Sequence, residues 1–166
     1  MGIVSFFKEA GEKLFGGKEA VAAPAQASPA ELQQRSAAAN DAAAKAIEKY
    51  IGAQGLSADG LAVAFDGASG TVTVSGQAAD QATKEKILLC CGNVQGVASV
   101  SDLMTVAQPA DESQYHTVVK GDTLSAIAKK FYGNANLYPK IFEANKPMLS
   151  HPDKIYPGQL LRIPPQ

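Results

Sequence analysis

The feature that most constrains this chain is a change of apolar period. Leu61, Val63 and Phe65 fall on every second position, and after the turn sequence DGASG the alternation resumes at Val72 and Val74. Period 2 sends such side chains to one face of a strand, so residues 61–76 read as a β-hairpin with one buried side. The period then lengthens. Thr83, Ile87 and Cys90 share one face of a helix over about 79–91, which Gly92 stops, and residues 98–106 return to a strand. Upstream, Ser28, Pro29 and Glu31 spell a capping box with proline at the first helical position. The helix they open runs to about residue 51, with Leu32, Ala39, Ala43, Ile47 and Tyr50 on one side. The order helix, strand, strand, helix, strand predicts an α+β fold, with two helices on one face of a small sheet.

A short polar stretch, residues 108–114, separates this unit from a second one. There a strand at 115–119 leads to Leu124, Ile127, Ala128 and Phe131, the stripe of an amphipathic helix that Asp122 or Thr123 can cap and Gly133 ends. Pro139 and Pro147 bracket a second helix in which Leu137, Ile141 and Ala144 align. Pro157-Gly158 reads as a type II turn feeding a last strand at 160–163. A βααβ unit of this size buries little core and should be only marginally stable alone. The domain plan is therefore a leader at 1–15 packing on the first unit, a linker at 16–27, the first domain at 28–107, a linker at 108–114 and the second domain at 115–166. The leader reads as a short amphipathic helix through Phe6, Phe7, Ala10 and Leu14, weakened by Gly11. The linker that follows is rich in alanine, glycine and proline and has almost nothing to bury.

Composition excludes several roles. The formal net charge is −1 over 166 residues, so no general pull toward nucleic acid or an anionic membrane is expected. No apolar run reaches the roughly 20 residues of a membrane helix. Ser5 and Lys8 interrupt the first apolar residues, which lack the form of a secretory signal. The two cysteines, Cys90 and Cys91, are adjacent and ill placed for a structural disulfide, so a cytoplasmic location is expected. No G-x-S-x-G, Walker or H-E-x-x-H motif is present, and no enzyme is expected.

Residues 115–164 resemble a LysM domain in the Y-x-V-x-x-G-D-T-L-S-x-I-A opening, the asparagine of EANKP and the I-Y-P-G-Q-x-L-R-I-P close. Residues 28–106 are similar to a BON domain through G-x-V-T-V-x-G, the following helix and V-x-G-V-x-x-V. The order BON then LysM, behind the leader FFKEAGEKL, resembles a family of small bacterial cytoplasmic potassium-binding proteins. The LysM resemblance implies a glycan groove between Gly121, Asp122, Thr123 and Leu124 on one side and Ala144, Asn145, Lys146 and Pro147 on the other. Its ligand would be peptidoglycan or a chitin-like polymer. The same residues equally serve as caps and loop-formers.

Potassium binding asks for different chemistry. K⁺ is held by neutral carbonyl oxygens that replace its hydration shell, whereas carboxylate clusters favour Ca²⁺ or Mg²⁺. LLCCGNVQGV ends the second helix of the first domain. A helix C-terminus leaves carbonyls without internal partners and carries partial negative charge. The candidate ligands are the backbone carbonyls of Gly92, Val94 and Val97, with Gly92 and Gly96 allowing the chain to bend. One loop seldom supplies six oxygens, so Phe7 and Ala10 of the leader are the second candidates. A plain glycine helix stop accounts for the same residues, and it is the resemblance that points to an ion. Three functions remain open: a monomeric K⁺-binding or sensing protein whose two domains order on binding, a cell-wall glycan binder, and a LysM-based adaptor.

Overall fold

The alternation at 61–76 becomes two paired strands. In the computed structural model, which describes residues 3–5 and 28–166, β1 is Ile3–Ser5 and α1 is Pro29–Ala53. β2 (Asp59–Asp66) and β3 (Thr71–Asp80) then pair antiparallel, with Val63 opposite Val74 and Phe65 opposite Val72. From β3 the chain crosses through α2 (Gln81–Gly92) to β4 (Ser99–Gln108), which runs parallel to β3. A parallel neighbour requires such a crossover, and the sheet order is β1-β4-β3-β2. Val72, Val74 and Val100 meet Ile47 and Ile51 from α1 and Ile87 from α2 in one core. The predicted α+β layer is the one observed.

Local capping is as the residues dictate. Ser28 N–H donates to the Glu31 carboxylate at 2.7 Å while Glu31 N–H donates to Ser28 Oγ at 3.3 Å, closing the box that starts α1. The buried stripe of α1 is shorter than expected. Leu32 is 51% exposed, and Ala39 is exposed too. Burial begins at Ala43, because among the described residues nothing covers the helix's first three turns.

The leader differs from expectation where it can be seen. Ile3–Ser5 is a strand rather than the start of a helix, pairing antiparallel with β4 so that Ser5 lies opposite Ser99. The free edge of β4 offers unpaired backbone groups, and Ile-Val favours the extended state. The rest of the predicted leader helix and the 16–27 linker fall outside the described residues.

The second unit is β5 (Gln114–Thr117), α3 (Leu124–Tyr132), a 3-10 turn (Ala135–Leu137), α4 (Tyr138–Ala144) and β6 (Leu160–Ile163). β5 and β6 pair antiparallel, with Tyr115 opposite Arg162. Leu124, Ile127, Ala128, Ile141, Leu149 and Leu161 form its core. Thr123 caps α3, and Gly133 ends it at φ 71°. Leu137, expected on the buried stripe of the next helix, belongs to the 3-10 turn and is 36% exposed. Gln159 N–H bonds Tyr156 C=O across Pro157-Gly158, with Gly158 at φ 87°, the geometry of a type II turn.

Candidate functional site

Gly92, Val94 and Val97 lie together in the turn that joins α2 to β4. Gly92 is the last helical residue and Asn93 is the C-cap at φ −94°. The bend expected at both glycines is made at Gly96 alone, where φ is +92°. Gly92 has no positive φ because the helix runs one residue further than its sequence signal. Val94 and Val97 are buried in the sheet core, which fixes the positions of their backbone groups. The Val94 carbonyl accepts the Val97 N–H at 3.3 Å.

The loop is held from its other side by Gly70 in the β2–β3 turn. Gly70 C=O accepts Ala98 N–H at 2.7 Å and Ser99 N–H at 3.3 Å. A Cβ on Gly70 would lie 3.0 Å from the Gly96 carbonyl oxygen, so this close approach needs glycine. The sequence marked Gly70 only as a turn residue, since its partner is remote in the chain. Among the described residues no group of three or more His, Cys, Asp or Glu gathers. The candidate oxygens of this turn are backbone carbonyls, of the neutral kind that K⁺ chemistry favours. Phe7 and Ala10 are outside the described residues. The β1 register nevertheless puts Ser5 opposite Ser99, so the leader meets the sheet at the strand end where this loop sits.

The same helix grips the second domain, a feature the sequence did not disclose. Asn93 is 6% exposed. Its Nδ2 donates to Leu160 C=O at 3.0 Å, and its Oδ1 accepts Leu160 N–H at 3.0 Å. Two turns earlier, Glu85 accepts Arg162 Nε at 2.5 Å, Gln81 Nε2 at 2.9 Å and Ser113 N–H at 2.8 Å. Burial alone would raise the Glu85 carboxyl, but these donors outweigh it and hold it below the ordinary carboxylate range. The hydroxyls of Ser113 and Tyr115 are buried without a protein partner. Burial first, then the nearby Glu85 charge, pushes the Tyr115 phenol up.

Cys90 and Cys91 are buried, and burial pushes the Cys90 thiol up to about 12. They are core residues, as their spacing implied. Cys90 also touches Met148 of the second domain, with their sulfurs 3.0 Å apart.

The proposed glycan-groove residues separate into different roles. Gly121 is exposed in the β5–α3 loop at φ 93°. Asp122 accepts Val119 N–H at 3.0 Å and lies 2.8 Å from His116 Nε2. Burial would raise the Asp122 carboxyl, but the His116 and Val119 bonds keep it low. Thr123 Oγ1 accepts Ala126 N–H at 3.1 Å as the helix cap, while Leu124 is buried in the core. Asn145 is 1% exposed. Its Nδ2 donates to Ile141 C=O at 2.7 Å and Arg162 C=O at 2.8 Å, and its Oδ1 accepts Arg162 N–H at 2.8 Å. That amide is committed to strand β6 rather than turned toward a groove.

Comparison with known proteins matches this architecture. The BON domain family matches residues 36–108 and the LysM domain family matches residues 116–164. Neither is an enzyme family. An uncharacterized protein of Deinococcus radiodurans is 43% identical over 82 residues, covering 43% of this chain and 32% of that protein. An esterase of Mycobacterium tuberculosis is 52% identical over 48 residues, only 10% of its length and 29% of this chain. Potassium binding protein Kbp of Escherichia coli is 48% identical over 164 residues, covering 99% of both chains. With both domains present in turn and that identity running from end to end, the chain belongs to the Kbp family of BON–LysM proteins.

Proposed function

We propose that this protein binds K⁺ through backbone carbonyls of the α2–β4 turn and serves as a cytoplasmic potassium-binding or sensing protein. The observation that carries this reading is the end-to-end relationship to a protein named for potassium binding. The turn fits the ion in kind. Gly92, Val94 and Val97 supply neutral oxygens at a helix C-terminus, where about half a negative charge accumulates. The leader supplies the remainder through Phe7 and Ala10, reached from the strand end at Ser5. Ion binding orders the leader and the first domain, and the Asn93 contact carries that order to the LysM domain. The protein acts as a monomer. Its adjacent, buried cysteines suit a reducing compartment, and no helix among the described residues is long and apolar enough to cross a membrane.

Calorimetric titration with KCl against NaCl tests the reading. The expected result is saturable heat with K⁺ that is weakened by deleting residues 2–14, since part of the oxygen set and strand β1 go with them. Identical heats for the two salts would overturn it. Cell fractionation tests the compartment, and recovery of the chain from the periplasm would contradict the cytoplasmic assignment.

The LysM match favours a second reading, glycan binding, because that family recognises N-acetylglucosamine polymers. The commitment of the Asn145 amide to β6 weighs against it.

A further inference from the structure

We infer that Asn93 is the positioning residue through which the α2–β4 turn and the LysM domain sense one another, while Glu85 and Arg162 form a latch that is indifferent to the ion. This rests on the K⁺ reading of the turn and assigns a route for its regulation.

The inference follows from peptide geometry. A peptide unit is planar, so the Gly92 carbonyl and the Asn93 N–H belong to one rigid plate. That plate is fixed by bonds from Asn93 N–H to Leu89 C=O at 3.0 Å and Cys90 C=O at 3.2 Å. The Asn93 Cα joins it to the next plate, whose N–H belongs to Val94 and bonds Cys91 C=O at 3.2 Å. Of the candidate carbonyls, that of Gly92 lies in the first plate, so turning it rotates the plate about this Cα and moves the Asn93 side chain relative to it. That side chain reaches across to the other domain, and both ends of its amide are spent on the single residue Leu160. Two simultaneous 3.0 Å bonds tolerate little rotation, because hydrogen bonds weaken steeply off axis. The aim of the Gly92 carbonyl and the grip on β6 are therefore set by one dihedral pair, so holding the grip holds the aim.

The contrast with Glu85 sharpens the assignment. Glu85 lies in the body of α2, with its backbone inside the helical ladder. Its carboxylate holds Arg162 and Ser113 whatever the turn does. A second contrast lies on β6 itself. Arg162 offers the same backbone pair as Leu160, and Asn145, from within the LysM domain, fills it in the same two-bond manner. One asparagine completes the strand edge from inside the domain. The other completes it from the neighbour's ion loop. A small open cleft of about 90 Å³ beside Asn93, lined also by Tyr50, Met148 and Gln159, leaves the contact room to part.

Because coupling is reciprocal, losing the contact must weaken ion binding as well as release β6. Amide NMR on the full chain during K⁺ titration tests this. In the unaltered protein the Asn93 side-chain amide and the Leu160 N–H should titrate with the same midpoint as residues 94–97. In Asn93→Ala the midpoint should move to about tenfold higher K⁺, within the usual range of coupling between sites, and Leu160 should cease to respond. Glu85→Gln should lower the melting temperature yet leave the Leu160 response to K⁺ in place, which a merely structural role for Asn93 would not predict. Should Asn93→Ala fail to fold, co-titration in the unaltered chain decides alone. The inference is overturned if Leu160 stays silent while 94–97 shift, or if Asn93→Ala titrates as the parent does. If no amide distinguishes KCl from NaCl, the K⁺ reading has failed and the inference falls with it.

Discussion

Gly96 places the steepest conformational demand on the α2–β4 turn. At φ +92° a side chain is strained, although no heavy atom lies within 4 Å of where its Cβ would sit. Gly96→Val should therefore act through the backbone alone, at about 1–3 kcal/mol, and should abolish K⁺ binding measured by calorimetry. Val94→Ile, which leaves the backbone free to keep its path, should change affinity little. Glu85 sets a different demand, because its charge is buried with that of Arg162. Removing one partner of a buried pair leaves the other uncompensated, a cost of about 3–5 kcal/mol. Arg162→Met alone should destabilise by about that much in denaturant melts. Adding Glu85→Gln should restore most of the loss, since the glutamine carbonyl still accepts Ser113 N–H. The pH dependence has a definite sign. The folded Glu85 carboxyl lies below its unfolded value of 4.5. Its contribution is complete above that value and is lost as pH falls toward the depressed folded value. Acid should thus loosen the domain contact, and Glu85→Gln should flatten the loss below about pH 4.5.

At the scale of elements, β6 is a strand with one true partner and one borrowed edge. β5 pairs it on one side, and two asparagine side chains imitate a strand on the other. Asn145→Ala should expose two backbone groups at Arg162 and destabilise the LysM domain by about 1–3 kcal/mol. The parent protein should show no tight binding to chitin oligomers, since that amide is already occupied. Saturable binding lost on Asn145→Ala, in a variant whose amide spectrum shows it folded, would contradict this. The elements themselves were legible because their signals are local. Val72 and Val74 alternate within one strand, Leu124 to Phe131 fit one helix face, and Ser28 to Glu31 close one cap. The grip of α2 on β6 was not legible. Asn93 and Leu160 are 67 residues apart, and Glu85 and Arg162 are 77 apart; an asparagine after a helix reads only as a cap until its partner is known. Strand β1 escaped for a similar reason, since three residues become a strand only when an edge is offered to them. Gly92, Val94 and Val97 were proposed from the chemistry of a helix end with glycine together with the family resemblance, and they lie close together at the end of α2.

For the molecule as a whole, Leu160 of β6 lies in the same core as Ile87 and Val94, with Tyr115 and Met148 packed against it, so the two domains share apolar surface as well as polar contacts. A ligand bound only by the folded, joined state must stabilise all of it, by about 2.7 kcal/mol at 100 times Kd. For a chain of this length that amounts to about 5–10 °C in melting temperature. The decisive measurement is thermal unfolding of the full chain in KCl against NaCl of equal concentration, so that ionic screening cancels. The account predicts a higher melting temperature in KCl by about that margin, with the two domains unfolding together. Superimposable curves in the two salts would contradict it.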